Sequence, residues 1–436
     1  MIGIRREDKN RWERRVPLTP ENVSVLVSGQ RLGVRVQPSP IRVFPDAAYA
    51  EAGATVAEDL SACRLIFGVK EVPPSLLVPE AAYVFFAHVV KGQSHNMPML
   101  RRLLDLGCSL VDYERIADDR GRRLIFFGLQ AGHSGMIDTL WALGRRLEAE
   151  GIRPNPFAGL RPAWKYGTLA EAQTAVSEAG EAIRREGLPE PLVPFVCGFT
   201  GYGNTYRGAA EVFDLLPVHE IHPGDLASLS ADAAPRRDCV HKVVFREEHT
   251  VAPVSGWDRF ELQDYYLHPE KYRPVFEQYL PHLSLLVNCV YWEPKYPKLV
   301  TQEALARLFA GSEPPRLRVI GDISCDVLGS MECTVRCTDS GDPVYVWDTV
   351  AGRDVPGVAG RGPVVLAVDN LPCELPADAS QHFGEMLLPF VPALARCDWD
   401  APLDSLALPP EILRAVIVHR GKLTPAFAYL ESHLAV

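Results

Sequence analysis

No stretch of this 436-residue chain stays apolar long enough to cross a bilayer, which argues against a helical membrane protein. Basic charge is also scarce. There are 45 lysines and arginines against 55 acidic residues, a net charge of −10, whereas a nucleic-acid backbone or anionic membrane needs a basic field. Neither nucleic acid nor membrane is therefore an expected partner. Cys/His pairs at zinc spacing are missing: ten cysteines are scattered from Cys63 to Cys397, and only Cys333 and Cys337 lie four apart. No metal is expected, and the thiols read as reduced and mostly buried. The opening segment, MIGIRREDKNRWERR, has the pattern of neither a signal peptide nor a transit peptide, so a cytoplasmic location is expected. No internal repeat or low-complexity segment is evident.

What is present is ordinary globular composition, 47% hydrophobic and 23% charged, with length for two or three cores. The most informative stretch is Leu192 to Leu216. An apolar run, Leu192 to Cys197, reads as a buried strand. It empties into Gly198-Phe199-Thr200-Gly201-Tyr202-Gly203, and Ala209, Val212, Phe213 and Leu216 then share one face of a helix. Gly201 can make the tight turn, and Gly203 lets backbone N–H groups approach a pyrophosphate, with Tyr202 and Asn204 beside them. The next glycine is Gly208, giving G-x-G-x-x-x-x-G. The glycines alone fit an ordinary strand-to-helix turn equally well; the flanking strand and helix favour a dinucleotide.

Earlier in the chain, strands are expected at Ile2–Arg5, Val34–Gln37, Arg64–Val69, Tyr83–Ala87, Ser109–Tyr113 and Arg123–Phe127. Thr19 caps a helix that starts at Pro20, and others cover Asp46–Ala52 and Met97–Leu106. Strands alternating with helices predict an α/β fold with largely parallel sheets. The glycine-rich Gly128–Gly135 reads as a loop before a long connector helix, Met136–Glu150. From about Pro343 the chain is expected to leave the nucleotide domain.

Open α/β sheets bind ligands beyond the carboxyl ends of their strands. Lys70 follows RLIFGV, His88 follows YVFFA, and Lys91 comes three residues later. Asp322 closes RVIGD, and Arg5 ends the first strand with Arg14 and Arg15 beyond it. Singly, each suits a solvated or structural role. Together they suit an enzyme that binds a carboxylate-bearing substrate and moves a proton beside a hydride.

At these residues the chain resembles lysine-ketoglutarate reductase, the reductase half of aminoadipic semialdehyde synthase, which groups with alanine dehydrogenase and the saccharopine dehydrogenases. The resembling segments are IRREDKNRWERRVPLTP, GVKEVP, FFAHVVKGQ, LVDYE, FTGYGNTYRGA, LVNCVYWE, GDISCDVLGSMEC and VDNLPCELPADAS. The resemblance implies two Rossmann-like domains. The catalytic one is discontinuous (1–131 and 345–436), the nucleotide-binding one is inserted (132–344), and the active site lies between them. It implies condensation of the ε-amine of lysine with 2-oxoglutarate and reduction of the imine to saccharopine by NADPH, with NADH as the alternative cofactor. The partners are then an amino acid and a 2-oxo acid, and assembly into a homo-oligomer is left open. Lys70 and His88 match the acid–base pair, Arg15 and Lys91 match carboxylate-binding positions, and Asp322 lies in the loop toward nicotinamide and substrate. Gly201, Tyr202, Gly203 and Asn204 match the cofactor turn. His222 stands where the family tends to show an acidic residue, which favours a 2′-phosphate. Cys325 replaces the alanine of DISAD, and Gln130 an aromatic residue. The competing readings are a related imine reductase or an alanine-dehydrogenase-like amino-acid dehydrogenase acting on another amine or keto acid, and a catalytically silent nucleotide-binding sensor.

Overall fold

The computed structural model describes residues 1–232, 234–254 and 259–434. The chain forms two compact units, Met1–Phe127 with Pro376–Val436, and Gly128–Leu375. In chain order the strands are β1 (Ile2–Ile4), β2 (Val34–Val36), β3 (Thr55–Val56), β4 (Leu65–Phe67), β5 (Ala82–Phe85), β6 (Ser109–Asp112), β7 (Val196–Thr200), β8 (Val218–Glu220) and β9 (Val240–Phe245). They continue as β10 (Val251–Pro253), β11 (Tyr272–Pro274), β12 (Leu285–Asn288), β13 (Val319–Asp322), β14 (Val344–Asp348), β15 (Arg353–Pro356), β16 (Val364–Leu366), β17 (Val416–His419) and β18 (Lys422–Leu423).

The first unit holds an eight-stranded sheet ordered β18-β17-β6-β5-β4-β1-β2-β3. Strands β1 to β6 are parallel, and β17 closes antiparallel on β6. Taken alone, the six parallel strands run 3-2-1-4-5-6, the doubly wound order, so the topological switch lies between β1 and β4. Ile2, Ile4, Phe67, Val84 and Phe85 are buried, because helices cover both faces of a parallel sheet. Thr19 caps the helix Pro20–Ser24 by accepting the Asn22 N–H, as its sequence predicts. Arg123–Phe127 is not a strand; Arg123 makes an isolated bridge to Ala117.

The second unit carries the sheet β15-β14-β16-β13-β12-β7-β9-β8, parallel from β8 through β16. The chain returns to the first unit at Pro376 rather than near residue 345. The reason is pairing: β16 lies parallel to β13, and β14 lies antiparallel to β16. The helix expected from Met136 starts at Gly128 and runs to Ala149. Its glycines serve close packing rather than a loop. A Cβ on Gly132 would sit 2.1 Å from the Thr205 carbonyl oxygen, and one on Gly208 1.9 Å from that of Leu129. Among the described residues no helix is long and apolar enough to cross a membrane.

Halfway along this helix, Asp138 shares a buried site with Glu374. Asp138 Oδ1 accepts the Ala163 N–H at 2.6 Å. Burial pushes both carboxyls up, Asp138 to about 6, and their mutual repulsion pushes Glu374 higher still. A carboxyl raised in the folded state binds more protons there than in the unfolded chain. Stability is therefore expected to fall as pH rises from the ordinary carboxylate range through about 6 and beyond. Urea unfolding of Glu374→Gln should lose most of that dependence between pH 5 and 8; a dependence equal to the parent's would show that other groups carry it.

Candidate functional site

The switch point of the first unit brings together the carboxyl ends of β1, β4 and β5. Arg5, just after β1, is buried and reaches Asp8 at 2.8 Å and Glu7 at 3.7 Å. Glu7 accepts the backbone N–H groups of Val69 (2.8 Å) and Lys70 (3.0 Å), fixing the turn after β4. Arg15 stands over the Phe127 ring at 4.2 Å and donates to Glu13 through Nε (2.8 Å) and Nη2 (2.6 Å). Both partners of that pair are buried.

His88 Nδ1 lies 2.6 Å from Glu71 Oε1, so the residue after Lys70 holds the imidazole. Lys9 approaches the other oxygen of Glu71 at 3.3 Å. His88 occupies the left-handed backbone region at φ 48°, a state costing an L-residue about 1–3 kcal/mol. Asn96 holds it there by donating to the Ala87 and His88 carbonyls, both at 3.2 Å. Lys91 sits exposed on the following turn, its N–H donating to Gln93 Oε1.

The Lys70 ammonium makes no hydrogen bond or ion pair among the described residues. Burial lowers its pKa first, and the cations of Arg15 and Lys9 lower it further; Glu71 and Glu13 oppose them. Burial also works against ionising Glu71, but the hydrogen bond and charge of His88, with Lys9, hold that carboxylate well below its usual range. Asp112, at the end of β6, is pushed up to about 7 by burial, with the charge of His88 pulling the other way. Among its described residues the first unit thus offers an unpaired cation of lowered basicity, Lys70, followed directly by the carboxylate that braces the His88 imidazole. Such groups can serve as acid and base in proton transfer.

In the second unit, β7 begins at Val196, later than the apolar run suggests, and leads into Gly201 at φ 84°. A Cβ there would lie 2.9 Å from the Cys289 carbonyl oxygen, so the turn requires glycine. Gly203 caps the helix Asn204–Phe213 without a side-chain acceptor, and no atom lies within 4 Å of where its Cβ would be. The free space beside Gly203, at the start of that helix, leaves room for a pyrophosphate to approach.

Strand β9, not β8, lies beside β7. His222, after the edge strand β8, is exposed; its Nδ1 accepts the Gly224 N–H and its ring meets His249 edge-on at 5.5 Å. Arg246, directly after β9, comes next to the glycine turn and sits 5.0 Å from the Tyr202 ring. Glu220 lies 3.5 Å from Lys242. Arg246 is thus a cationic neighbour of the turn, brought there by the strand beside β7, whereas His222 follows the edge strand.

Asp322 is buried and fully engaged. It accepts from Asn288 Nδ2 (2.8 Å), Thr334 Oγ1 (2.6 Å) and the Cys325 N–H (3.2 Å). Asn288 in turn accepts from Thr200 Oγ1 at 2.8 Å, so one network joins the ends of β7, β12 and β13. Burial pushes Asp322 up to about 6, against the hydrogen bonds from Thr334 and Asn288. Asp322 is therefore a node of the network that positions the turn. Each buried donor left without its acceptor costs about 1–3 kcal/mol. Asp322→Ala should therefore lower the urea midpoint clearly and Asp322→Asn less; equal midpoints for all three proteins would contradict the network's role.

Residues 3–134 match the alanine dehydrogenase/PNT N-terminal domain, and residues 266–426 match its C-terminal domain. The chain belongs to the alanine dehydrogenase/PNT family. It is 38% identical to alpha-aminoadipic semialdehyde synthase of Arabidopsis thaliana, over 99% of this chain and 41% of that protein. It thus spans less than half the length of that relative. It is 27% identical to the saccharopine dehydrogenase [NAD(+), L-lysine-forming] of Emericella nidulans, over 89% of this chain and 90% of that one. Among solved structures, an L-alanine dehydrogenase matches with a TM-score of 0.61 at 19% identity, covering 99% of both chains, and so supports the fold. The family's C-terminal domain binds nucleotide, which implies NAD(P) as the cofactor.

The residues that sequence reasoning missed are mostly carboxylates. Glu7, Glu13 and Glu71 hold the cations that the sequence brought to notice, and Asp112 completes the cluster. Their signal was available: Glu71 directly follows Lys70, and the first loop alternates arginines with acids.

Proposed function

We propose that this chain is a lysine-ketoglutarate reductase, joining the ε-amine of L-lysine to 2-oxoglutarate and reducing the imine to saccharopine. One observation carries this reading. This one chain aligns over nearly its whole length with part of the synthase and, over 90% of that protein's length, with a fungal enzyme named for the L-lysine-forming saccharopine dehydrogenase reaction.

Neutral Lys70 takes the proton from the incoming ammonium, leaving a nucleophilic amine. As the carbinolamine forms on the keto carbon, protonated Lys70 returns a proton to the departing hydroxyl and water leaves. His88, braced by Glu71, is the second proton donor and acceptor and keeps the imine nitrogen protonated. When bound, the nicotinamide supplies the hydride to the former keto carbon. Lys91 offers a cation to a substrate carboxylate from the exposed turn. Arg15 adds its charge to the same region while its paired hydrogen bonds go to Glu13. In the second unit Gly201, Tyr202, Gly203 and Asn204 form the cofactor turn, and Asp322 keeps it in place.

NADPH is the preferred cofactor in this reading, because Arg246 offers positive charge beside the turn and Glu220 is drawn to Lys242. A hydrogen bond to a charged group is worth about 1.5–3 kcal/mol, or roughly 10- to 150-fold. Arg246→Ala should lower the preference for NADPH over NADH by about that ratio; an unchanged ratio of the two kcat/KM values would remove Arg246 from the 2′-phosphate. For the reaction itself, the test is NADPH oxidation by purified protein. Lysine plus 2-oxoglutarate should support turnover, and turnover with ammonia plus pyruvate instead would favour the alanine-dehydrogenase reading.

A further inference from the structure

The turn after β13 carries a thiol, Cys325, buried and at φ 53°. Its sulfur lies 3.8 Å from that of Cys337, the exposed cysteine of the chain's ten. We propose that Cys325 and Cys337 form a reversible disulfide that ties the turn following Asp322 to the segment leading into β14.

Accessibility and reactivity divide between the two sulfurs in the way such a bond requires. Cys337 meets solvent, and the hydrogen bond from Cys325 holds its thiol below the ordinary cysteine value; its own partial burial and the charges of Asp369, Asp322 and Asp326 work against this. The thiolate is the reactive form, so Cys337 is the sulfur that an oxidant meets first. Cys325 is shielded, with its Sγ 2.8 Å from the Ala367 carbonyl oxygen, and is placed to resolve rather than to initiate. Cys333 shares the loop but is fully buried.

With hydrogen peroxide the steps balance. The Cys337 thiolate attacks one peroxide oxygen, the O–O bond breaks, and sulfenic acid and hydroxide form. Cys325 sulfur then attacks the sulfenyl sulfur, the S–O bond breaks, and hydroxide leaves with the thiol proton as water. Two thiols are oxidised and one peroxide is reduced to two waters. An external dithiol reverses the change by exchange.

The movement required is small and falls at a sensitive place. The sulfurs must close from 3.8 Å to about 2.05 Å. Cys325 must then release the Ala367 carbonyl, and its N–H is bonded to Asp322, the node joining β7, β12 and β13. Oxidation therefore acts on the hydrogen bonds that hold the glycine turn's sheet edge in register.

The test uses the reduced full chain, treated with a few equivalents of hydrogen peroxide, and reads thiols directly, so it does not depend on the activity assigned above. Two thiols should disappear together, and peptide mass mapping should show Cys325 linked to Cys337. Dithiothreitol should restore both thiols. Cys337→Ser should keep the Cys325 thiol reduced under the same treatment, and Cys325→Ala should leave Cys337 to oxidise onward to sulfinic acid. Wild-type protein in which Cys337 is oxidised while Cys325 stays free would overturn the proposal. So would a Cys333–Cys337 link in place of the Cys325–Cys337 link.

Discussion

Lys70→Met should lower kcat by about 10²- to 10⁴-fold, the range for removing a positioned acid–base group, and leave nucleotide affinity unchanged. Methionine keeps most of the buried stem's volume, so the loss would report the missing amine rather than a collapsed site. The parent's pH profile carries a second signature. Burial, Arg15 and Lys9 lower the Lys70 pKa, so the neutral base is available at lower pH than for an ordinary lysine. As pH falls through that lowered pKa, the base is protonated and kcat/KM should drop. This limb should be absent from the residual activity of Lys70→Met. Stopped-flow turnover and nucleotide titration by fluorescence check both parts, and a kcat within error of the parent would remove Lys70 from proton transfer.

Arg15→Ala should be among the most destabilising single changes in the first unit, by about 3–5 kcal/mol. The change takes two hydrogen bonds and a positive charge away from the buried Glu13 carboxylate. It also removes the cation above Phe127, whose ring stacks on Phe383 with centroids 4.5 Å apart. Urea unfolding of Arg15→Ala, Glu13→Gln and the double variant measures the coupling. The double variant should recover part of the loss. If Arg15→Ala unfolds at the parent's midpoint and shows only a raised KM for the keto acid, Arg15 works on substrate and the Glu13 pair is incidental.

Those two residues show where sequence reasoning reached and where it stopped. Lys70 and His88 were visible because each follows an apolar run of strand length, and the ends of parallel strands are where ligands bind. Arg15 was visible as a cation with a two-pronged grip, and the grip exists; its carboxylate belongs to Glu13, which only tertiary packing reveals. The helix from Gly128 was hidden because Gly128, Gly132 and Gly135 look like a loop in sequence. Their missing side chains admit the helix Asn204–Phe213 and Ile323 instead. Strand β9 is absent from the sequence expectations: His241 and Lys242 interrupt its apolar residues, and only the sheet shows that it lies beside β7 and brings Arg246 to the glycine turn. The return to the first unit was placed near residue 345 because β14 to β16 read as the next domain. Nothing local in sequence says that β16 pairs with β13.

The most direct measurement of the central claim follows nitrogen rather than colour. Lysine labelled with ¹⁵N at the ε position is incubated with 2-oxoglutarate, NADPH and the purified chain, and the products are identified by mass spectrometry. Saccharopine carrying the label in its secondary amine should form, one for one with NADPH consumed. Labelled glutamate, or a product formed only when free ammonia is supplied, would contradict it.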